Sequence, residues 1–238
     1  MGISSAELTI RQNELHTKIK ERNPNAICDG VLDVETYCSL KRKIMWVQKE
    51  APVSGGGILY EDVWNGKTGV LGGYNSTLRW KTEVSRHLLE DELKQRPLPE
   101  NDKFISEISK YPSDKQLSAR ILCCIANINV GKESGPNKTS DTRLQNIYHK
   151  WEDITHEQLE LYTPDIIFFS GTFKLFNFSN LQELWSSRIV GNDFHIYYAT
   201  IGDRQTIVVD CYHTGAAGRG IGTYWNALGV AACECVKF

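Results

Sequence analysis

Residues 44–57 have the sequence IMWVQKEAPVSGGG, in which a short apolar run is followed by a carboxylate, a proline and three glycines. The apolar residues predict a buried strand, and Pro52 would end it because proline has no N–H to give to a sheet. The glycines would let the backbone turn tightly and approach a ligand closely. Because ligands of open α/β sheets bind at the carboxyl ends of the strands, we expect Glu50 to lie at a binding edge.

The composition narrows the class of protein. The 238 residues include 27 Lys and Arg against 29 Asp and Glu, a formal net charge of −2, which argues against a protein that coats nucleic acid broadly. No apolar run reaches membrane-spanning length and residues 1–22 are too polar for a secretory signal, so we expect a cytoplasmic protein. Seven cysteines without a C-x-x-C pair are expected to be reduced thiols, with no metal site and no cofactor.

Helical and strand patterns alternate along the chain. We predict helices at residues 4–22, 59–63, 76–89, 105–111, 139–161, 181–185 and 224–235. Further strands are predicted at residues 119–128, 166–169, 195–200 and 206–211, the last two joined by a tight turn. This order predicts an α/β fold with three layers, α/β/α, around a mostly parallel four-stranded sheet. We expect a single domain, with residues 1–42 as a helical extension and residues 43–238 as the core.

Polar side chains follow three of the predicted strands. Glu50 follows the first strand, Asn127 and Asn129 lie at the end of the second, and His213 follows the last. A parallel sheet would bring these strand ends to one edge. The sequence therefore predicts that a carboxylate, an amide and an imidazole meet there.

These motifs, taken in order, resemble those of the uracil-DNA glycosylase superfamily. Residues 50–52 match the Glu-Ala-Pro of a Gly-Glu-Ala-Pro-Gly motif, with Lys49 in place of the leading glycine. Residues 127–138 match an asparagine at a strand end followed by a loop rich in basic residues, proline and glycine. Residues 163–171 fit the next segment, and residues 213–215 keep only the histidine of a His-Pro-Ser motif. The absence of cysteines at cluster spacing separates the chain from the iron–sulfur branches.

The resemblance implies a DNA glycosylase, which hydrolyses the N-glycosidic bond of a base flipped out of the helix. In this interpretation Glu50 positions water or stabilises the cationic sugar, and His213 donates a hydrogen bond to the departing base. Asn127 would read the edge of the base, since an amide donates and accepts at once. DNA is the implied partner, bound by a monomer that has no contact with a membrane.

Two further sets of residues complete the predicted site. The base would also contact the residues Asn129, Pro52, Gly55, Gly56 and Tyr60. The DNA backbone would contact residues of two loops that can bind phosphate, namely Lys132, Ser134, Lys138, Thr214 and Arg219.

The three glycines after the first motif suggest a base larger than uracil. A bulky side chain at this point in uracil-specific relatives crowds carbon 5 of the base, and glycine leaves that space open. We therefore expect a bulky carbon-5-modified pyrimidine, such as a modified cytosine of phage DNA, and a role in anti-phage defence. Two alternatives stay open: a non-catalytic DNA-binding module on the same fold, and a hydrolase of free nucleosides or nucleotides.

Overall fold

The computed structural model describes residues 3–50, 57–58, 79–93, 121–136, 139–189, 192–214 and 221–236. Its helices are α1 (Ser5–Arg22), α2 (Val34–Cys38), α3 (Arg79–Leu93), α4 (Asp141–Tyr162) and α5 (Ile221–Cys235), with a 3₁₀ turn at Phe173–Leu175. Its strands are β1 (Ile27–Cys28), β2 (Gly30–Val31), β3 (Ile44–Glu50), β4 (Gly57–Ile58), β5 (Ile125–Gly131), β6 (Ile166–Ser170), β7 (Ser179–Ile189), β8 (Asn192–Ile201) and β9 (Arg204–Cys211). The helices predicted at residues 59–63 and 105–111 lie outside the described residues.

Seven strands form one mixed sheet in the order β2-β5-β3-β6-β9-β8-β7, and β1 pairs with β4 separately. The four central strands, β5, β3, β6 and β9, are parallel to one another. Strands β2, β8 and β7 are antiparallel to their neighbours. The α/β prediction is confirmed, but the sheet is larger than the predicted four strands and is mixed, because antiparallel strands extend the parallel centre on both sides.

The parallel centre is apolar on both faces, as expected for strands covered by helices. Residues 44–47 of β3 and all five residues of β6 are buried. Helix α1 buries Leu8, Leu15 and Ile19 in the same core, and the Ser4 hydroxyl caps it by accepting a hydrogen bond from the Glu7 N–H at 3.2 Å. The strands β3 and β6 and the helix α1 were predicted from the sequence.

The second strand begins later than the sequence predicted. Residues 121–123 are helical, and β5 runs from Ile125 to Gly131. Asn127 is therefore not at a strand end: it lies inside β5, opposite Trp46 of β3. The apolar run at residues 119–128 carries no periodicity that separates a buried helix from a buried strand, so its pattern could not place this boundary.

The helix predicted at residues 181–185 is wrong. This segment belongs to β7, which pairs with β8 in an antiparallel arrangement with irregular register. Leu181 and Trp185 are 44% and 43% exposed on this edge strand. Within this segment Gln182, Glu183 and Trp185 pair with β8, and this pairing outweighs the weak helical preference of five residues.

A buried ion pair ties the N-terminal region into the core. The Asp29 carboxylate accepts hydrogen bonds from Lys132 Nζ at 2.8 Å and from the Asn129 backbone N–H at 2.7 Å. Gln158 of α4 donates to the same carboxylate at 2.9 Å and accepts from Lys132 at 2.6 Å. All four side chains are buried, and β2 joins the main sheet beside β5. Residues 3–42 thus contribute a strand to the sheet and side chains to its core, in addition to helices.

Replacement of Lys132 by methionine tests this buried pair. Because Asp29 would be left as a buried charge without its cation, Lys132→Met should lower the free energy of unfolding by about 3–5 kcal/mol. Urea-induced unfolding measures the change. Lys18→Met is the control, since the Lys18–Glu157 pair is exposed and its loss should cost at most about 1 kcal/mol. Equal losses in the two variants would contradict a structural role for Lys132.

Candidate functional site

The carboxyl ends of the four parallel strands meet at one edge of the sheet. Strand β3 ends at Glu50, β6 at Ser170 and β9 at Cys211, and His213 follows two residues later. Strand β6 lies between β3 and β9, so the carboxyl ends of β3 and β9 are two strand spacings apart, about 10 Å. The predicted carboxylate and the predicted imidazole therefore belong to the same edge.

Glu50 is held at this edge with one oxygen uncommitted. Its side chain is only 3% exposed, and its Oε1 accepts a hydrogen bond from the Thr139 hydroxyl. Arg143, in the first turn of α4, places its Nε 3.8 Å from the same oxygen, and the N-terminal end of a helix also favours a carboxylate. Glu50 Oε2 is buried and has no hydrogen-bond partner among the described residues. This oxygen can accept a hydrogen bond from a ligand or a water molecule.

The loop after β5 packs directly on Glu50. A Cβ atom added to Gly135 would lie 1.8 Å from Glu50 Cγ and 2.5 Å from its Oε1. A Cβ atom added to Gly131 would lie 3.2 Å from Glu50 Cβ. Only glycine allows the backbone to approach this closely, so the two glycines confine the carboxylate to its position.

His213 is a neutral imidazole in this site. Burial, and then the positive charges of Lys49 and Lys81, lower the pKa of His213 to about 4. The Lys49 chain runs beside it: a Cβ atom on Gly171, whose φ is +69°, would lie 3.3 Å from Lys49 Cε and 3.4 Å from His213 Cβ. At neutral pH the ring therefore has one N–H donor and one acceptor nitrogen, and it lies in a positively charged setting.

A chain of buried polar side chains crosses the site. Gln48 Nε2 donates to Thr214 Oγ1 at 2.8 Å, and Lys81 Nζ donates to Gln48 Oε1 at 3.2 Å. Lys81 also donates to Asn127 Oδ1, and the Asn127 Nδ2 group is buried with no partner among the described residues. Burial lowers the pKa of Lys81 to about 7, so its charge changes close to neutrality.

Sequence reasoning overlooked Gln48 and Lys81. A signal for Lys81 exists in α3, where residues 81, 84, 85 and 88 are all buried and share one face of the helix. A lysine on a face that otherwise packs into the core is unusual and marks a position worth testing.

Three residues that were predicted to contact DNA form their hydrogen bonds within the protein instead. The Asn129 side chain donates to Asp29 at 3.0 Å, and Lys132 is fully buried in its ion pair with the same carboxylate. Thr214 is fully buried, with its hydroxyl bonded to Gln48 and its N–H donating to Ser170 Oγ at 3.0 Å. We therefore correct three predictions. Lys132 and Thr214 were predicted to contact phosphate and Asn129 to contact the base, but these side chains bond within the protein instead.

Ser134, by contrast, is exposed and keeps its hydroxyl available to a ligand. The other predicted contact residues lie outside the described residues, namely Pro52, Gly55, Gly56, Tyr60, Lys138 and Arg219. Within the described ranges, no group of three or more His, Cys, Asp or Glu side chains could hold a metal ion. In the same part of the chain, no helix has the length and apolarity needed to cross a bilayer.

No protein-family model matches the chain, and no curated protein matches it. The motifs and the geometry of the sheet edge are thus the grounds on which its function can be argued.

Replacement of Gly135 by alanine tests the packing around Glu50. The added methyl group would overlap the carboxylate, so Gly135→Ala should lower the free energy of unfolding by about 1–3 kcal/mol. Chemical denaturation measures this loss. Ser134→Ala, at the exposed neighbouring position, should change stability by no more than about 0.5 kcal/mol. If the two variants are equally stable, the loop does not confine Glu50.

The pKa of His213 predicts a pH dependence of stability. An unfolded histidine has a pKa near 6.5, so the unfolded state binds more protons than the folded state between about pH 4 and 6.5. The contribution of His213 is present above pH 6.5 and is lost as the pH falls toward 4, on the order of 3 kcal/mol in total. Urea unfolding of the wild type and His213→Gln across this range measures it. Identical pH dependence in both proteins would contradict the assignment.

Proposed function

We propose that the protein is a hydrolase that cleaves the N-glycosidic bond of a base extruded from DNA. The observation that carries the proposal is that two groups lie at one sheet edge: the buried carboxylate of Glu50, whose Oε2 has no partner among the described residues, and the neutral imidazole of His213. The order of the sequence motifs supports it. We also infer a three-layer α/β/α arrangement and a cytoplasmic monomer.

Glu50 would act on the sugar side of the scissile bond. Breaking the bond leaves a cationic, oxocarbenium-like sugar, which a nearby carboxylate stabilises, as in other glycoside hydrolyses. Water then adds to the anomeric carbon, and its proton must be accepted. The uncommitted Oε2 of Glu50 is suited to either task, because Thr139 and Arg143 hold the other oxygen.

His213 would act on the base side. Negative charge moves onto the base as the bond breaks, and a donor aimed at a base oxygen stabilises that charge. A neutral imidazole can donate this hydrogen bond without transferring a proton. Neutral histidine is known to polarise a substrate carbonyl in this way in another enzyme. The charges of Lys49 and Lys81, which lower the pKa of His213, also favour an anionic leaving group.

The substrate base we propose is a bulky carbon-5-modified pyrimidine, such as a modified cytosine of phage DNA. The support is the glycine run at residues 55–57, which would leave room beside carbon 5. A role in anti-phage defence follows from that substrate. Preferential release of plain uracil would refute this choice of base while leaving the glycosylase proposal intact.

A second candidate is a hydrolase of free nucleosides or nucleotides. It is favoured by the burial of Lys132 and Thr214, which removes two of the five side chains predicted to bind the DNA backbone. A small substrate needs fewer phosphate contacts than a DNA strand does. The two candidates share Glu50 and His213 and differ only in what surrounds the reacting bond.

Mass spectrometry of released bases tests the proposal. The protein is incubated with natural DNA, modified phage DNA and free nucleosides, and the wild type should release a base from DNA. Glu50→Gln and His213→Ala should each lower the rate about 100-fold or more while remaining folded, since each removes a group that acts on the reacting bond.

Glu133→Gln is the matched control, because Glu133 lies in the loop after β5 but bonds to Lys150 and Asn23. It should retain the wild-type rate. Release from nucleosides but not from DNA would favour the second candidate. Full activity in Glu50→Gln would remove the carboxylate from the reaction.

A further inference from the structure

One buried ammonium group is shared by two amide side chains at the centre of the site. Lys81 Nζ donates to Gln48 Oε1 at 3.2 Å and to the Oδ1 atom of Asn127. All three side chains are buried, and Asn127 is completely so. The ammonium thus determines which end of each amide faces inward.

The orientation of the two amides follows from the chemistry of lysine. Below its pKa of about 7, Lys81 is an ammonium with three donors and no acceptor, so an amide NH₂ group turned toward it would place donor against donor. Both carbonyl oxygens must therefore face Lys81, and both NH₂ groups must face away from it. The NH₂ group of Gln48 donates to Thr214 Oγ1 at 2.8 Å.

The NH₂ group of Asn127 is the remaining member of the network. It is buried and has no hydrogen-bond partner among the described residues. A buried donor without a partner costs free energy, so this NH₂ group is suited to donate a hydrogen bond to an acceptor atom of a ligand. Glu50 Oε2 is the complementary case, a buried acceptor without a partner among the described residues.

We infer that Lys81 is a positioning residue that turns Asn127 so that it offers a ligand only a hydrogen-bond donor. The ligand atom that faces Asn127 is then an acceptor, either a base carbonyl or a ring nitrogen without a hydrogen. The identification of this ligand as a nucleobase rests on the proposed function. This corrects the expectation that Asn127 reads a base by donating and accepting at once, because its oxygen is already bonded to Lys81.

Acceptor deletion in the substrate tests the inference. DNAs are prepared in which the target base lacks one acceptor at a time: the oxygen on carbon 2, the ring nitrogen N3 of a cytosine-type base, or the oxygen on carbon 4 of a uracil-type base. In the wild type, one of these deletions should lower kcat/KM about tenfold or more, the effect expected when a buried donor loses its partner. In Lys81→Met the same deletion should cost less than about threefold, because the amide can turn and bond to the protein instead.

Two variants separate positioning from stability. Lys81→Arg keeps a cation that only donates, so the selectivity should be retained. Ser85→Ala removes a buried hydrogen bond of 3.0 Å to Trp46 Nε1 on the same face of α3, and should lower stability without altering the deletion penalty. An equal penalty in the wild type and Lys81→Met would overturn the inference while leaving the proposed function in place.

A second measurement does not depend on turnover. In protein labelled with ¹⁵N-asparagine, the side-chain NH₂ signals of Asn127 are identified by their absence from Asn127→Leu. Addition of free cytosine, uracil or 5-hydroxymethylcytosine should shift these signals in the wild type. If no DNA or nucleoside releases a base, the proposed function fails, and the shift alone then supports the donor assignment. Absence of any shift would overturn the inference that Asn127 donates a hydrogen bond to a ligand.

Discussion

The pairing of β3 with β5 on one side and with β6 on the other is the constraint on which the site depends. It fixes the direction of β3, so that Glu50 emerges at the same edge as the ends of β5, β6 and β9. It also sets the register that brings Asn127 opposite Trp46, within reach of helix α3. The antiparallel strands β2, β7 and β8 extend the sheet. They contribute no side chain to the hydrogen-bonded network of Gln48, Lys81, Asn127 and Thr214.

Two fully buried lysines show how differently a buried cation can be used. Lys132 faces a carboxylate, that of Asp29, and its bonds to Asn129 and Gln158 complete a closed structural cluster. Burial lowers the pKa of both lysines, but among the described residues Lys81 bonds to neutral amides and not to a carboxylate. A buried ionisable group without a direct counter-ion is costly to maintain, and such groups concentrate at functional sites. We therefore assign Lys132 to the stability of the fold and Lys81 to the site.

The sequence predicted the elements with strong local signals. The apolar run of β3 and the helices α1 and α4 could be predicted from neighbouring residues alone. The burial of Lys132 could not be predicted, because its partner Asp29 lies 103 residues earlier in the chain. Asn127 was misplaced because the mostly apolar run at residues 119–128 has no periodicity to mark where the helix ends and the strand begins. Glu50 and His213 were correctly placed on strand ends, but the partners of Glu50 and the pKa of His213 depend on tertiary packing.

The central claim is that Glu50 and His213 act on opposite sides of one extruded base. A crystal structure of Glu50→Gln bound to DNA containing the base that the wild type releases tests it most directly. We expect the side chain at position 50 beside the sugar of the extruded nucleotide, and a His213 nitrogen within about 3 Å of an oxygen of the base. A base bound elsewhere, or position 50 and His213 opening onto separate surfaces with no ligand between them, would contradict the account.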